Sequence, residues 1–179
     1  MEAARPILST DRLILREMVA EDADFIIALT NDPDWLRHIG DRGIRTTDDA
    51  RAYIENIRSS YARHGHGLWT VELRENRAAI GSCGLVTRDW LEHSDLGYAF
   101  LADYRGRGYA REAAAATLEH ARDALGMTHL QAIVTPENRD SIQLLTKIGM
   151  SLERMATPPG GATELCVYGC DLSAELSSG

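Results

Sequence analysis

The sequence predicts a mixed α/β fold, and three observations predict it. Segments with strand and helix periods follow one another in the order β-α-α-β-β-β-α-β-α-β-β. Residues 95–135 form one β-α-β unit, and a connection of that length demands a parallel, right-handed crossover. No internal repeat and no linker-like shift of composition interrupts the 179 residues, so 1–179 reads as one domain. A chain of this size buries roughly 70% of its unfolded surface and needs no disulfide or metal staple.

Residues 12–16 read as a first strand. A helix with an acidic start follows over 21–30, where acids suit the positive end of the helix dipole. Asn31-Asp32-Pro33-Asp34 breaks it. A second helix opens on the capping sequence Thr46-Thr47-Asp48-Asp49, and Ala50, Tyr53, Ile54, Ile57 and Tyr61 step along one of its faces. His64-Gly65 ends it. Residues 68–73 and 79–86 read as a hairpin, and 95–101 as the next strand. Residues 109–125 are alanine-rich, with Ala114, Leu118, Ala121 and Leu125 on one face and Gly126 as the stop. A strand over 129–135 leads to a short helix over 138–148, N-capped by Asn138 and closed by Gly149. Strands over 151–157 and 163–172 flank Pro158-Pro159-Gly160-Gly161. The small, polar tail 173–179 is expected to fray.

Lys+Arg number 19 against 27 Asp+Glu, for a net charge of -8. That balance argues against nucleic-acid and anionic-membrane partners, which need a basic field. No apolar run of about 18 residues predicts a membrane span, and the N-terminus lacks the apolar core of a signal peptide. Three cysteines without framework spacing fit a reducing cytoplasm. His64-Gly65-His66 lacks partners at metal-ligand spacing, so no metal is expected.

The chemistry concentrates in 95–111, where a strand runs through a Gly-rich loop directly into a helix. A helix N-terminus offers unpartnered N–H groups and the positive end of the dipole. Gly106 and Gly108 let a ligand approach the backbone, and Arg105, Arg107 and Arg111 add positive charge. This is an anion site, most simply for phosphate. The single lysine, Lys147, excludes a P-loop, and a third glycine at dinucleotide spacing is absent.

Arg105-Gly-Arg-Gly108-Tyr-Ala110 resembles the Arg/Gln-x-x-Gly-x-Gly/Ala loop of the GNAT acetyltransferase superfamily, which holds the pyrophosphate of acetyl-coenzyme A through main-chain amides. The stretch from Asn138 through Ser141, Leu144 and Leu145 to Gly149 resembles the downstream pattern of the same family. Thr10-Asp-Arg-Leu-Ile-Leu-Arg16 resembles the opening of its ribosomal-protein N-terminal acetyltransferase branch. The resemblance implies a mostly antiparallel sheet of about seven strands with about four helices. The strands 95–101 and 129–135 would be its parallel, splayed pair.

It also implies roles. The loop from Arg105 through Gly106, Arg107, Gly108, Tyr109 and Ala110 to Arg111, with Asn138 and Ser141, would hold acetyl-CoA as co-substrate. Its pantetheine arm would pair with backbone near Phe100, Leu101 and Ala102, and a bulge in the first splayed strand would aim an amide at the thioester. Many family members carry a tyrosine seven residues after the helix Asn; here that position is Leu145. Ser141 is then the nearest hydroxyl to serve the leaving thiolate, as in the N-terminal-acetyltransferase branch. Asp95, where related sequences carry Glu, is the candidate base, with Glu72 its rival. Trp35, His38, Arg42 and Tyr98 are candidate acceptor contacts. The implied activity is acetyl transfer to a primary amine, on a protein N-terminus or a small molecule, by a monomer or homodimer. A non-catalytic acyl-CoA sensor is the alternative.

Overall fold

In a computed structural model, residues 4–173 are described, so of the tail expected to fray all but Ser173 lies outside the described residues. The strands are β1 (Pro6–Ser9), β2 (Leu13–Arg16), β3 (Leu68–Leu73), β4 (Ala79–Val86), β5 (Asp95–Phe100), β6 (His129–Val134), β7 (Ser151–Ala156) and β8 (Leu165–Asp171). The α-helices are α1 (Ala23–Thr30), α2 (Pro33–His38), α3 (Thr47–His64), α4 (Tyr109–Asp123) and α5 (Arg139–Lys147).

Two elements correct the sequence reading. β1 adds an eighth strand: its four residues are too short for a visible alternation, and pairing with β2 defines it. α2 adds a fifth helix where Pro33 had read as a breaker. Proline at the first helical position costs no hydrogen bond, and the Asp32 carboxylate caps it by accepting from the Asp34 amide at 3.0 Å. At α3 the expected capping sequence forms a full box between Thr46 and Asp49.

All the strands lie in one sheet, ordered β1-β2-β3-β4-β5-β6-β8-β7. Among the described strands, only β5 and β6 run parallel. Consecutive residues Leu68 and Trp69 on β3 join different apolar clusters, as strand alternation requires. Trp69, Cys83, Leu130 and Tyr168 pack on the face covered by α4 and α5, while Leu68 packs with Met18, Ile26 and Ile54 of the α1–α3 side. Ala113, Ala114 and Ala121 are fully buried, so their small side chains let α4 lie close to the sheet. That closeness brings the mouth of α4 to the end of β5.

Candidate active site

The site begins where the sheet divides. β4 and β5 pair without a shift from Gly81 opposite Phe100 to Val86 opposite Asp95. The bulge expected in β5 is therefore not there; the nearest register shift lies one strand away, between β3 and β4 at Val71/Glu72. β5 and β6 pair only at Asp95 opposite Gln131, beside a hydrogen bond from the Gln131 amide to the Ser94 carbonyl at 3.0 Å. Beyond that point no residue of β5 pairs with β6, and at the far end of β5 the Phe100 carbonyl accepts from Arg105 Nε instead.

Asp95 stands at the fork. It is 2% exposed, and its Oδ1 accepts from the Ile133 amide at 3.2 Å, taking the place of a strand partner. Its Oδ2 accepts from Arg88 Nε at 2.8 Å. Burial pushes its carboxyl up to about 6, against the opposing pull of Arg88 and the Ile133 amide. Glu72 is equally engaged: one oxygen meets Arg16 at 2.6 Å and the other Arg77 at 2.6 Å.

Two hydroxyls face each other across the cleft. Tyr98 on β5 reaches the first turn of α5, with its phenol oxygen 2.5 Å from Ser141 Oγ and 3.3 Å from the Ser141 carbonyl. Burial raises the Tyr98 pKa, partly offset by the bond to Ser141, so the phenol stays protonated. Asn138 performs the capping, its side-chain oxygen accepting from the Ser141 amide at 3.2 Å, which frees the Ser141 hydroxyl for Tyr98. Leu145 is 1% exposed and belongs to the core.

The loop between β5 and α4 holds the glycines and arginines expected to form an anion site. Gly106 and Gly108 adopt φ of +73° and +83°, a conformation that side chains resist. Among the described residues, no group accepts a hydrogen bond from the amides of Gly106 through Arg111. A run of free amides at the positive end of a helix fits a phosphate-bearing ligand. Arg107 and Arg111 are exposed beside them. Arg105 is arranged differently. Its guanidinium meets Asp32 at 2.5 Å and Asp34 at 2.8 Å, and its Nε donates to the Phe100 carbonyl at 3.0 Å. Its side chain therefore ties the loop to the start of α2, a tie that sequence reading missed because the partners lie far back in the chain.

α2 forms the wall above the cleft. His38 Nδ1 lies 3.2 Å from Thr135 Oγ1, at the end of β6. Trp35 is 7% exposed, and its indole N–H is buried without a partner. Arg42 is exposed in the following loop. Among the described residues, no cluster of three His, Cys, Asp or Glu side chains is placed to hold a metal.

A family model described as an acetyltransferase (GNAT) domain matches residues 12–151. The chain belongs to the GNAT acetyltransferase family. It is similar to an uncharacterized N-acetyltransferase, YoaA, of Bacillus subtilis, at 28% identity over 83% of this chain and 84% of that one. An acetyltransferase structure from Agrobacterium tumefaciens superposes with a TM-score of 0.80 at 26% identity, covering 95% of this chain and 96% of the other. RimL, a ribosomal L7/L12 alpha-N-protein acetyltransferase solved in complex with coenzyme A, shares the fold at a TM-score of 0.77 and 12% identity, over 95% of this chain and 99% of that one. The GNAT chain described above is thus an acetyltransferase with its sheet fork, free-amide loop and hydroxyl pair at one end of the sheet.

Proposed function

We propose that this acetyltransferase moves an acetyl group from acetyl-CoA directly to a primary amine held beside it. The observation that carries this reading is the run of unpartnered amides from Gly106 to Arg111 at the open end of the β5/β6 fork. Those amides, with Arg107 and Arg111, seat the phosphates. The backbone of β5 beyond the fork, near Phe100, Leu101 and Ala102, receives the pantetheine arm through the groups that Arg105, Tyr104 and Ile80 do not already engage. Acetyl-CoA supplies an activated acyl group and a thiolate leaving group.

The chain's own residues then hold the reactants and handle the protons. Binding both in one cleft supplies much of the acceleration through proximity. The acceptor nitrogen bonds to the acyl carbon as the carbon–sulfur bond breaks; the proton lost by nitrogen balances the one gained by sulfur. Ser141, held by Tyr98, donates its hydroxyl hydrogen toward the sulfur. Asp95, with a carboxyl pushed up to about 6, is the proton acceptor on the amine side, working through water because both of its oxygens are engaged. Trp35, His38 and Arg42 line the acceptor side, and the free indole N–H of Trp35 suits an acceptor carbonyl. Such a carbonyl next to a primary amine is what a protein N-terminus presents, the substrate class named for RimL; a small amine with the same pattern fits equally.

The test is thiol release from acetyl-CoA across small amines and short peptides with varied N-terminal residues. Turnover with peptides favours a protein acceptor, and turnover only with small amines assigns the other class. One observation favours a second reading, an acyl-CoA sensor without turnover: the position of the usual tyrosine is filled by Leu145 in the core. Acetyl-CoA binding with silence across the whole panel would select it.

A further inference from the structure

The opening stretch Thr10–Arg16 has no role in the chemistry above, yet its first half folds onto the phosphate loop. Thr10 and Arg12 lie in the turn between β1 and β2. Thr10 Oγ1 donates to Glu112 Oε1 at 2.6 Å, and the Arg12 amide reaches the same oxygen at 3.1 Å. Arg12 Nε and Nη2 donate to Glu112 Oε2 at 2.7 and 2.6 Å. Arg12 Nη1 donates to the Arg107 carbonyl at 3.0 Å, and its guanidinium lies 4.4 Å from the centroid of the Tyr109 ring. One arginine therefore touches the loop, the first residue of α4 and the only acid in that helix's first turn.

Two physical consequences follow. In a trans peptide the C=O and the next N–H point in opposite directions, and no described peptide is cis. Pinning the Arg107 carbonyl to Arg12 turns the Gly108 N–H away from Arg12, and that N–H is one of the unpartnered amides. The second consequence is electrostatic. Glu112 stands one turn into α4, and its bare charge would oppose a phosphate at the same helix mouth. Arg12 cancels that charge in place.

We propose that Arg12 is a positioning residue of the acetyl-CoA site. It orients the Arg107–Gly108 peptide and neutralises Glu112, and it acts through them rather than on the ligand. The proposal rests on the reading of the loop as the phosphate seat.

The experiment measures acetyl-CoA dissociation constants by calorimetry for the wild type, Arg12→Gln, Glu112→Gln and the double variant, at low and high salt, with melting curves for each. Arg12→Gln is expected to weaken binding about tenfold at low salt and less at high salt, because screening mutes the uncancelled, partly exposed carboxylate. Glu112→Gln alone is expected to bind as tightly as the wild type or tighter. The double variant is expected to recover much of the loss, and turnover at saturating acetyl-CoA to stay unchanged throughout. Wild-type binding with Arg12→Gln unaffected would overturn the proposal and leave the loop reading intact. Equal weakening by Arg12→Gln and Glu112→Gln would also overturn it, since a merely structural clamp behaves so. Absence of binding by the wild type would remove the loop reading itself, and the proposal with it. Should Arg12→Gln melt before it can be titrated, Arg12→Lys with and without Glu112→Gln gives the same comparison.

Discussion

Two arginine clusters in this chain have opposite fates. Arg16 is buried between β2, β3 and the turn before α1, with bonds at 2.8 Å to both oxygens of Asp22 and at 2.6 Å to Glu72. Thr70 and the Val19 amide complete the shell around Asp22. Every strong donor there has an acceptor, and the cluster is inert. At the mouth of α4, Arg107 and Arg111 are exposed and the backbone donors beside them have no acceptor. Satisfied polar groups build structure; donors held in place without acceptors are ready for a ligand. The distinction lies in the partners, since residue type is the same in both.

Breaking the satisfied cluster should give the largest effect on stability. Arg16→Ala leaves the buried Asp22 carboxylate without its arginine and Glu72 with Arg77 alone, and is expected to cost roughly 3–5 kcal/mol, read as a loss of denaturation midpoint. A cost under 1 kcal/mol would show that water replaces the guanidinium and that burial there is nominal. Gly108→Trp attacks the other cluster. It places a bulky side chain at φ +83°, against Arg12, and is expected to weaken acetyl-CoA binding about a hundredfold. Unchanged affinity would refute the loop assignment.

Sequence carried the ligand-ready cluster further than the inert one, for a physical reason. The loop, its glycines, the start of α4 and the cap at Asn138 are local features, in which a few neighbouring residues decide the conformation. The β-α-β unit was legible from period and connection length. What stayed hidden depends on contacts distant in sequence. Arg105 finds its acids in Asp32 and Asp34, Arg12 finds Glu112, and Tyr98 finds Ser141. α2 stayed hidden because Pro33 breaks a helix when interior and starts one when first, and only the Asp32 cap decides between them. The strand β1 exists through its partner β2 alone.

The hydroxyl pair sharpens the comparison on the catalytic side. Ser141→Ala is expected to lower turnover about a hundredfold, more than it weakens acetyl-CoA binding. An unaltered turnover number would remove Ser141 as the donor to sulfur. Asp95 gives the smallest effect and a signed one. Its pKa is raised in the fold, so its contribution to stability is full below the ordinary carboxylate range and is lost as pH rises through about 6. Relative to Asp95→Asn, the wild type should therefore melt progressively lower between pH 4 and pH 7. A flat or rising difference would mean that Arg88 fully compensates the buried charge.

The central claim is that the free amides at the mouth of α4 are a seat for acetyl-CoA. A melting curve of the wild-type protein with and without acetyl-CoA tests it most directly. Binding stabilises the native state by mass action, about 2.7 kcal/mol at a hundredfold excess over the dissociation constant. The expected result is a melting temperature that climbs with acetyl-CoA concentration and fails to climb in Gly108→Trp. No shift in the wild type at millimolar acetyl-CoA would contradict the account.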